Sequence, residues 1–441
     1  MDVVLLSRIQ FALAAGFHFL FPPLTLGLTL IIFMLETMFL RKGAIIFKEI
    51  SNFLIKILAL IFTVGVASGI VLEFSFGTNW AEYSRMVGDI FGAPLAAEAV
   101  FSFFLESTFI AVLLFGRNKV SPKAYWLVSF LIFFASHLSG LWIIIANSWM
   151  QTPAGFEIVN GRAVLTDFFA AAFSPSTLVR YTHTVCASWV TGSLFAAGIS
   201  AWFLLRKRNA ELFKPLLHMS LTIFIITGLL QTVTGHAHAV QVAKTQPAKM
   251  AAFEALWQTQ NGAPMSLFGI PDAEQQKTHF QIKIPKLLSF MINFNFDSEV
   301  KGLNEFPKEE WPPVSISYFS YHLMIVFGGI FAFLSVISII MLVAKKFNKT
   351  NWFLKVLMIS APFPLAINII GWTAAEVGRQ PWAVYGILKT ADAASVSVPA
   401  WQVLFTLILF SLVYLLLFTV FLIVFTKIIK KGPESIFQAA E

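Results

Sequence analysis

Residues 400–431 read AWQVLFTLILFSLVYLLLFTVFLIVFTKIIKK. No charged side chain interrupts 400–426, and Lys427, Lys430 and Lys431 follow directly. A helix of about 20 apolar residues crosses about 30 Å of hydrocarbon. This stretch is long enough, and its lysines suit the point where a spanning helix re-enters water beside anionic lipid. The whole chain agrees with it. Of 441 residues, 57% are hydrophobic and only 12% charged, whereas a soluble domain has about 25% charged residues. Mean hydropathy is +0.77.

Working outward, apolar runs lie at roughly 14–37, 53–74, 93–115, 125–147, 183–205, 217–240, 318–343, 354–376 and 400–426. They predict an all-α integral membrane protein with nine transmembrane helices. Glycine and alanine within the runs permit close helix contacts. Basic residues collect in alternate connections: Arg41, Lys42 and Lys48; Arg117, Lys119 and Lys123; Arg206, Lys207, Arg208 and Lys214; Lys345, Lys346 and Lys349; then the C-terminal lysines. The positive-inside rule assigns this class to the cytoplasm. The C-terminus is then cytoplasmic and the N-terminus outside; eight spans would break the alternation. The opening MDVVLLSRIQ lacks the basic region and cleavage site of a signal peptide, so a mature N-terminus is expected. The net charge of +8 sits in these short clusters, which argues for lipid headgroups and against nucleic acid. The single cysteine, Cys186, excludes an intrachain disulfide and a cysteine-ligated cluster within the chain.

One connection differs. Residues 241–317 hold seven Lys, eight Asp or Glu and several prolines, with a short helix expected around Lys249–Trp257. Long structured loops are usually functional. The chain divides into helices one to six over 1–240, this outer loop over 241–317, and helices seven to nine over 318–441.

Several polar side chains fall where hydrocarbon is expected. His18 lies near the outer end of the first run, His183 opens the fifth in RYTHTV, Met324 lies near the start of the seventh, and Glu376 closes the eighth in GWTAAEVGRQPW. The bland reading of each is a buried hydrogen-bonding group, a packing methionine or an interfacial anchor. By the alternation all four occupy one half of the bilayer. Imidazole, thioether and carboxylate are ligand types that haem iron accepts. On residue type alone, His137, His218, His236, His238, His279 and His322 are alternatives. Glu98 and Glu106 in APLAAEAVFSFFLEST are separated by about 12 Å of helix rise and share broadly one side. Carboxylates at that depth are costly unless paired, hydrated or protonated. They read as a proton route or as structural hydrogen bonds, with Ser107, Ser139 and Asn147 as extensions.

SRIQFALAAGFHFLFPPLTLG, EFSFGTNW, GDIFGAPLAAEAVFSFFLEST, LWIIIANSWMQTP and GWTAAEVGRQPW together resemble subunit I of the cytochrome bd family of quinol oxidases. The resemblance covers nearly the whole chain and is weakest over about 287–317. It implies three haems: two haem b, one low-spin and one high-spin, and one haem d. His183 and Met324 would ligate the low-spin haem, and His18 and Glu376 would serve the high-spin pair. Glu98 would contact one of these, and Arg379 would neutralise a propionate. The 241–317 segment resembles the short form of the quinol-binding loop, with Lys249 and Glu254 at its working positions. In YHLM, His322 stands where the family commonly has arginine.

The resemblance further implies a bacterial cytoplasmic-membrane enzyme that oxidises quinol outside, reduces O2 to water and builds a proton gradient without pumping. Glu106 and Ser139 would belong to the cytoplasmic proton route. Implied partners are a second large membrane subunit (subunit II) and small single-span subunits. A proton-coupled secondary transporter using Glu98 and Glu106, or a membrane scaffold, are the competing readings of the residues alone.

Overall fold

Inside hydrocarbon every backbone N–H and C=O needs an internal partner, so each apolar run closes its hydrogen bonds as a helix. The computed structural model describes residues 2–433. Among these, nine helical segments are long and apolar enough to cross a membrane. The first is α1 (Val3–His18) followed by α2 (Pro22–Lys42), and the second is α3 (Ile45–Thr78). The third is α4 (Ala81–Ala97), a π-turn over Glu98–Phe103, and α5 (Phe104–Phe115). Then come α6 (Pro122–Gln151), the short α7 (Phe168–Ala172), α8 (Thr177–Leu205) and α9 (Ala210–Thr245). In the long connection lie α10 (Pro247–Glu254) and α11 (Leu287–Asn293). The last spans are α12 (Val314–Val343), α13 (Asn351–Ser360) with α14 (Phe363–Val377), and, after the short α15 (Thr390–Ala393), α16 (Ala400–Lys431).

The helices outrun the apolar runs at most ends, because polar residues continue a helix once it leaves lipid. The 34-residue α3 is about 51 Å long at 1.5 Å per residue. Two differences from the sequence reading matter for function. The first span begins at Val3, not 14, and breaks at Phe19–Phe21, before Pro22 and Pro23, which lack N–H groups. His18 therefore sits at a mid-span break. The third begins at Ala81, not 93, and its π-turn starts at Glu98.

The core is built where α2, α3, α8 and α9 meet, around Leu28, Ile31, Ile57, Phe203 and Phe213. At the crossing of α2 and α8 a Cβ on Gly27 would lie 2.6 Å from the Gly192 Cα, so only glycine permits that approach. By contrast α16 is mostly uncovered, packing on α1 and α3. One intramembrane acid is structural: Glu36 pairs with Arg117, whose Nε donates to Asn52 (2.7 Å) and whose guanidinium lies 3.8 Å from the Tyr125 ring centre.

Basic-rich connections share one end of the molecule, as Arg117 bonding α2 and Arg208 donating to the Lys430 carbonyl (3.1 Å) show. The other end carries small hairpins. There β1 (Phe156–Val159) pairs with β2 (Arg162–Leu165), and Asn160 and Gly161 turn the hairpin at positive φ. In the long connection β3 (Gln260–Asn261) pairs with β6 (Glu299–Val300), and β4 (Met265–Asp272) pairs antiparallel with β5 (Lys277–Ile284). A last pair, β7 (Trp382–Val384) and β8 (Leu388–Lys389), follows α14. The sequence reading expected only a helix at Lys249–Trp257. That helix starts earlier, at Pro247, and stops at Glu254 because Ala255 adopts a left-handed conformation, φ 47°.

Candidate functional site

Four elements converge at the hairpin end. Glu376, one residue before the end of α14, accepts from Asn147 Nδ2 (3.1 Å) and Gln151 Nε2 (3.2 Å) on α6, and pairs with Arg379 (2.6 Å). Arg180 on α8 donates to the Asn147 carbonyl oxygen. From α10, Lys249 Nζ donates to Gln151 Oε1 (3.0 Å), Gln246 Oε1 (3.1 Å) and the Ala375 carbonyl (2.7 Å). Burial together with the charges of Arg180 and Arg379 holds the Lys249 ammonium well below its ordinary range, against the opposing pull of Glu376. Two guanidinium groups and the Lys249 amine thus surround one carboxylate. Buried charges persist when paired, yet Arg180 Nε and Arg379 Nη1 are buried without an acceptor. The chemistry of this cluster fits further anionic oxygens, such as the carboxylates of a haem.

The other expected haem ligands lie against glycines of neighbouring helices. His18 donates from Nδ1 to the Gly65 carbonyl (3.1 Å), also 3.1 Å from Ser68 Oγ, and this leaves Nε2 as the lone-pair nitrogen. A Cβ at Gly69 would meet the His18 ring at 3.1 Å. His183 is flanked by Thr234 and Gln231 (3.2 Å each), and Gly235 leaves its ring room on α9. On α14, a Cβ at Gly371 would come within 2.9 Å of the Met324 sulfur. Each of the three thus faces a glycine on a neighbouring helix. His137 and His322 are engaged at both ring nitrogens, as is His183, whose Nε2 also lies 3.2 Å from Gln231 Nε2. His137 accepts from Trp189 Nε1 (2.9 Å) and bonds the Phe133 carbonyl (2.7 Å); His322 lies 2.9 Å from both the Ser266 and Tyr318 carbonyls.

The expected proton-route acids form a second group. Ser139 donates to Glu98 Oε1 (2.8 Å), and Glu98 is within electrostatic reach of Glu73 on α3 and of Glu106 on α5. Eight residues of ideal α-helix leave two side chains about 80° apart. The π-turn takes up one additional residue, about 100° of phase, and so brings Glu98 and Glu106 closer to one face. Ser102, four residues from each, is buried with its hydroxyl unpartnered, as is the Ser107 hydroxyl.

The third group is in the long connection. Glu254 Oε2 accepts the Ser266 N–H (2.9 Å), while Oε1 is buried with no partner. Burial pushes this carboxyl up to about 7, with the Ser266 bond acting the other way. Lys249 does not pair with it. Five residues along one helix set them about 140° apart, and Lys249 is held by Gln151, Gln246 and Ala375 instead.

Sequence reasoning missed Arg180, Gln151, Ser102, Ser266 and Tyr318. Arg180 alone had a readable signal, an arginine three residues before His183 in RYTHTV. The serines, glutamine and tyrosine are ordinary residue types whose roles arise from contacts distant in sequence.

Comparison with known proteins identifies relatives along nearly the whole chain. The chain is 36% identical to the cytochrome bd ubiquinol oxidase subunit 1 of Bacillus subtilis (strain 168), over 98% of this chain and 95% of that one. It is 34% identical to the cytochrome bd-II ubiquinol oxidase subunit 1 of Escherichia coli (strain K12), over 98% of each. The bd oxidase structure from Geobacillus thermodenitrificans superposes with a TM-score of 0.90 at 28% identity, covering 98% of this chain and 99% of that one. This places the chain in the class of multi-pass, haem-dependent quinol:oxygen oxidoreductases of the bacterial inner membrane. The profile of the cytochrome bd terminal oxidase subunit I family matches residues 6–433, and the chain belongs to that family.

Proposed function

We propose that this subunit oxidises membrane quinol at the outer face and reduces O2 to water, with two haem b, one low-spin and one high-spin, and one haem d. The observation that carries this reading is the bolt between loop and cofactor cluster. Lys249, on the same short helix as Glu254, donates to the Ala375 carbonyl beside Glu376 (2.7 Å). A substrate base and a cofactor-ligand cluster are thereby held in one rigid junction.

His183 and Met324 would hold the low-spin haem, and His18 and Glu376 the high-spin pair. Arg379 and Arg180 would receive propionates on their unpartnered nitrogens. Bound haem supplies one-electron carriers and the iron at which O2 is reduced. The protein's own groups do the rest. Glu254 accepts a quinol proton at Oε1, the oxygen left open by the Ser266 bond. Lys249 anchors α10 to the cluster through Gln151 and the Ala375 carbonyl. The alternating basic residues orient the molecule with the N-terminus and the 241–317 loop outside and the C-terminus in the cytoplasm. Quinol protons then leave outside, while protons for water enter from the cytoplasm past Glu106, Ser102, Glu98 and Ser139. Charge separation follows without a pump. The 1–240 and 318–441 helices hold the cofactors, and 241–317 holds quinol.

The subunit works in a multi-subunit membrane complex. A second large subunit, subunit II, and single-span subunits are the proposed partners, and the exposed apolar length of α16 leaves surface for lipid or partner helices. Haem extraction from the purified complex tests the proposal. Haem b and haem d in a ratio of two to one, with quinol-driven O2 uptake, is the expected result. Haem-free protein that is folded and active in solute transport overturns it.

A further inference from the structure

Ser266 on β4 is almost fully buried, and all three of its polar groups are engaged. Its N–H donates to Glu254 Oε2 (2.9 Å), its hydroxyl shares a hydrogen bond with the Tyr318 hydroxyl (2.7 Å), and its carbonyl lies 2.9 Å from His322 Nε2. Tyr318 and His322 are one helical turn apart on α12, with rings stacked at 3.9 Å. A neutral imidazole donates from one nitrogen, and Nε2–H toward the Ser266 carbonyl is taken as that donor, with Nδ1 lying 2.9 Å from the Tyr318 carbonyl. Phe253, beside Glu254, stacks on Tyr321 at 4.4 Å. Two residues beyond His322 on the same helix is Met324.

We propose that Ser266, Tyr318 and His322 form a positioning latch that sets the Glu254 carboxylate relative to the helix carrying Met324. Quinol proton transfer then depends on bonds that do not touch the substrate. The physical reason is directional. One carboxylate oxygen is pinned by a peptide N–H, and that peptide is pinned at its hydroxyl and carbonyl to α12, so the open oxygen keeps one aim. Loosening either pin lets the peptide drift from Glu254, which weakens the bond favouring the ionised form. The groups facing Glu254 are Tyr318 and Tyr321 from α12 and Ser266 from β4, while Lys249 on its own helix is engaged with Gln151, Gln246 and Ala375.

The inference rests on Glu254 being the quinol base, and the experiment separates the two. Tyr318→Phe, His322→Leu and His322→Gln are made in the intact complex, with Glu254→Gln as reference. Quinol-driven O2 uptake is followed against pH, beside haem spectra and uptake driven by an artificial reductant. In Tyr318→Phe and His322→Leu the acid limb is expected to move up by about one pH unit, about tenfold slower quinol oxidation on that limb. Spectra and artificial-reductant activity stay normal. His322→Gln, which keeps a donor toward the Ser266 carbonyl, is expected to restore most of the profile. An unmoved limb, equal loss with both reductants, or haem loss in Tyr318→Phe overturns the latch. Tyr318→Phe removes one oxygen and keeps the ring stack, so it decides the matter even where His322→Leu fails to assemble. Full quinol turnover in Glu254→Gln instead overturns the underlying assignment of the base.

Discussion

Glu254 is buried, ionisable and only half satisfied, and each property bears on its chemistry. Burial raises its carboxyl from an ordinary 4.5 to about 7. Only the ionised form accepts a proton, so quinol oxidation is expected to rise with pH through about 7. Stability runs the other way. A carboxyl raised on folding favours the protonated native state, so its contribution is full below 4.5 and is lost as pH rises toward 7. Glu254→Gln keeps the size of the side chain but cannot take the proton. It is expected to slow quinol turnover by about 10²- to 10⁴-fold, with haem spectrum and artificial-reductant activity near normal. Measuring O2 uptake with both electron sources checks this. Equal loss in both, or missing haem, removes the loop from the reaction. Glu376→Gln is expected to behave differently, altering high-spin haem content, because it removes the one carboxylate from a cluster that holds Arg180 and Arg379.

At the scale of elements, breaks in the helices coincide with candidate chemistry. α1 ends at His18 before the Pro22–Pro23 pair, and the π-turn starts at Glu98. Where the helices are unbroken, small residues govern the approach. Gly27→Ala is expected to cost about 1–3 kcal/mol by overpacking, because its methyl would meet the Gly192 backbone at 2.6 Å. Gly329→Ala, with nothing within 4 Å of the added carbon, is the control. Thermal inactivation of the purified complex is the measurement. Equal melting of the two variants would show that α2 and α8 separate without penalty.

At the scale of the whole molecule, sidedness organises the proposed mechanism. The direction in which protons leave and enter depends on the basic-rich end facing the cytoplasm. A reporter active only outside the cytoplasm is expected to work when fused within 260–280 and to fail when fused within 207–213, beside Arg206–Arg208. The reverse pattern would invert the direction of the gradient. Contacts such as Arg208 to Lys430 at one end and Lys249 to Ala375 at the other already separate the two classes of connection. The reporter then assigns each end to its compartment.

Nine helices were legible in the sequence because a hydrocarbon medium forces long apolar runs and excludes charge, so span and connection are written in composition alone. The family motifs added the expected ligands His18, His183, Met324 and Glu376. Tertiary structure decided what those residues meet. Glu36 became a structural ion pair through Arg117, some 80 residues away, and His137 became the acceptor of Trp189 on another helix. Arg180, Gln151 and Lys249 became one cluster around Glu376 through contacts that join α6, α8, α10 and α14. Local pattern carries no record of such pairings, since they depend on crossing angles and on which glycines let helices approach. The separation of Lys249 from Glu254 shows the same limit at its smallest scale. Five residues place them on one helix, but the turn of that helix sends one toward the Glu376 cluster and the other toward Ser266.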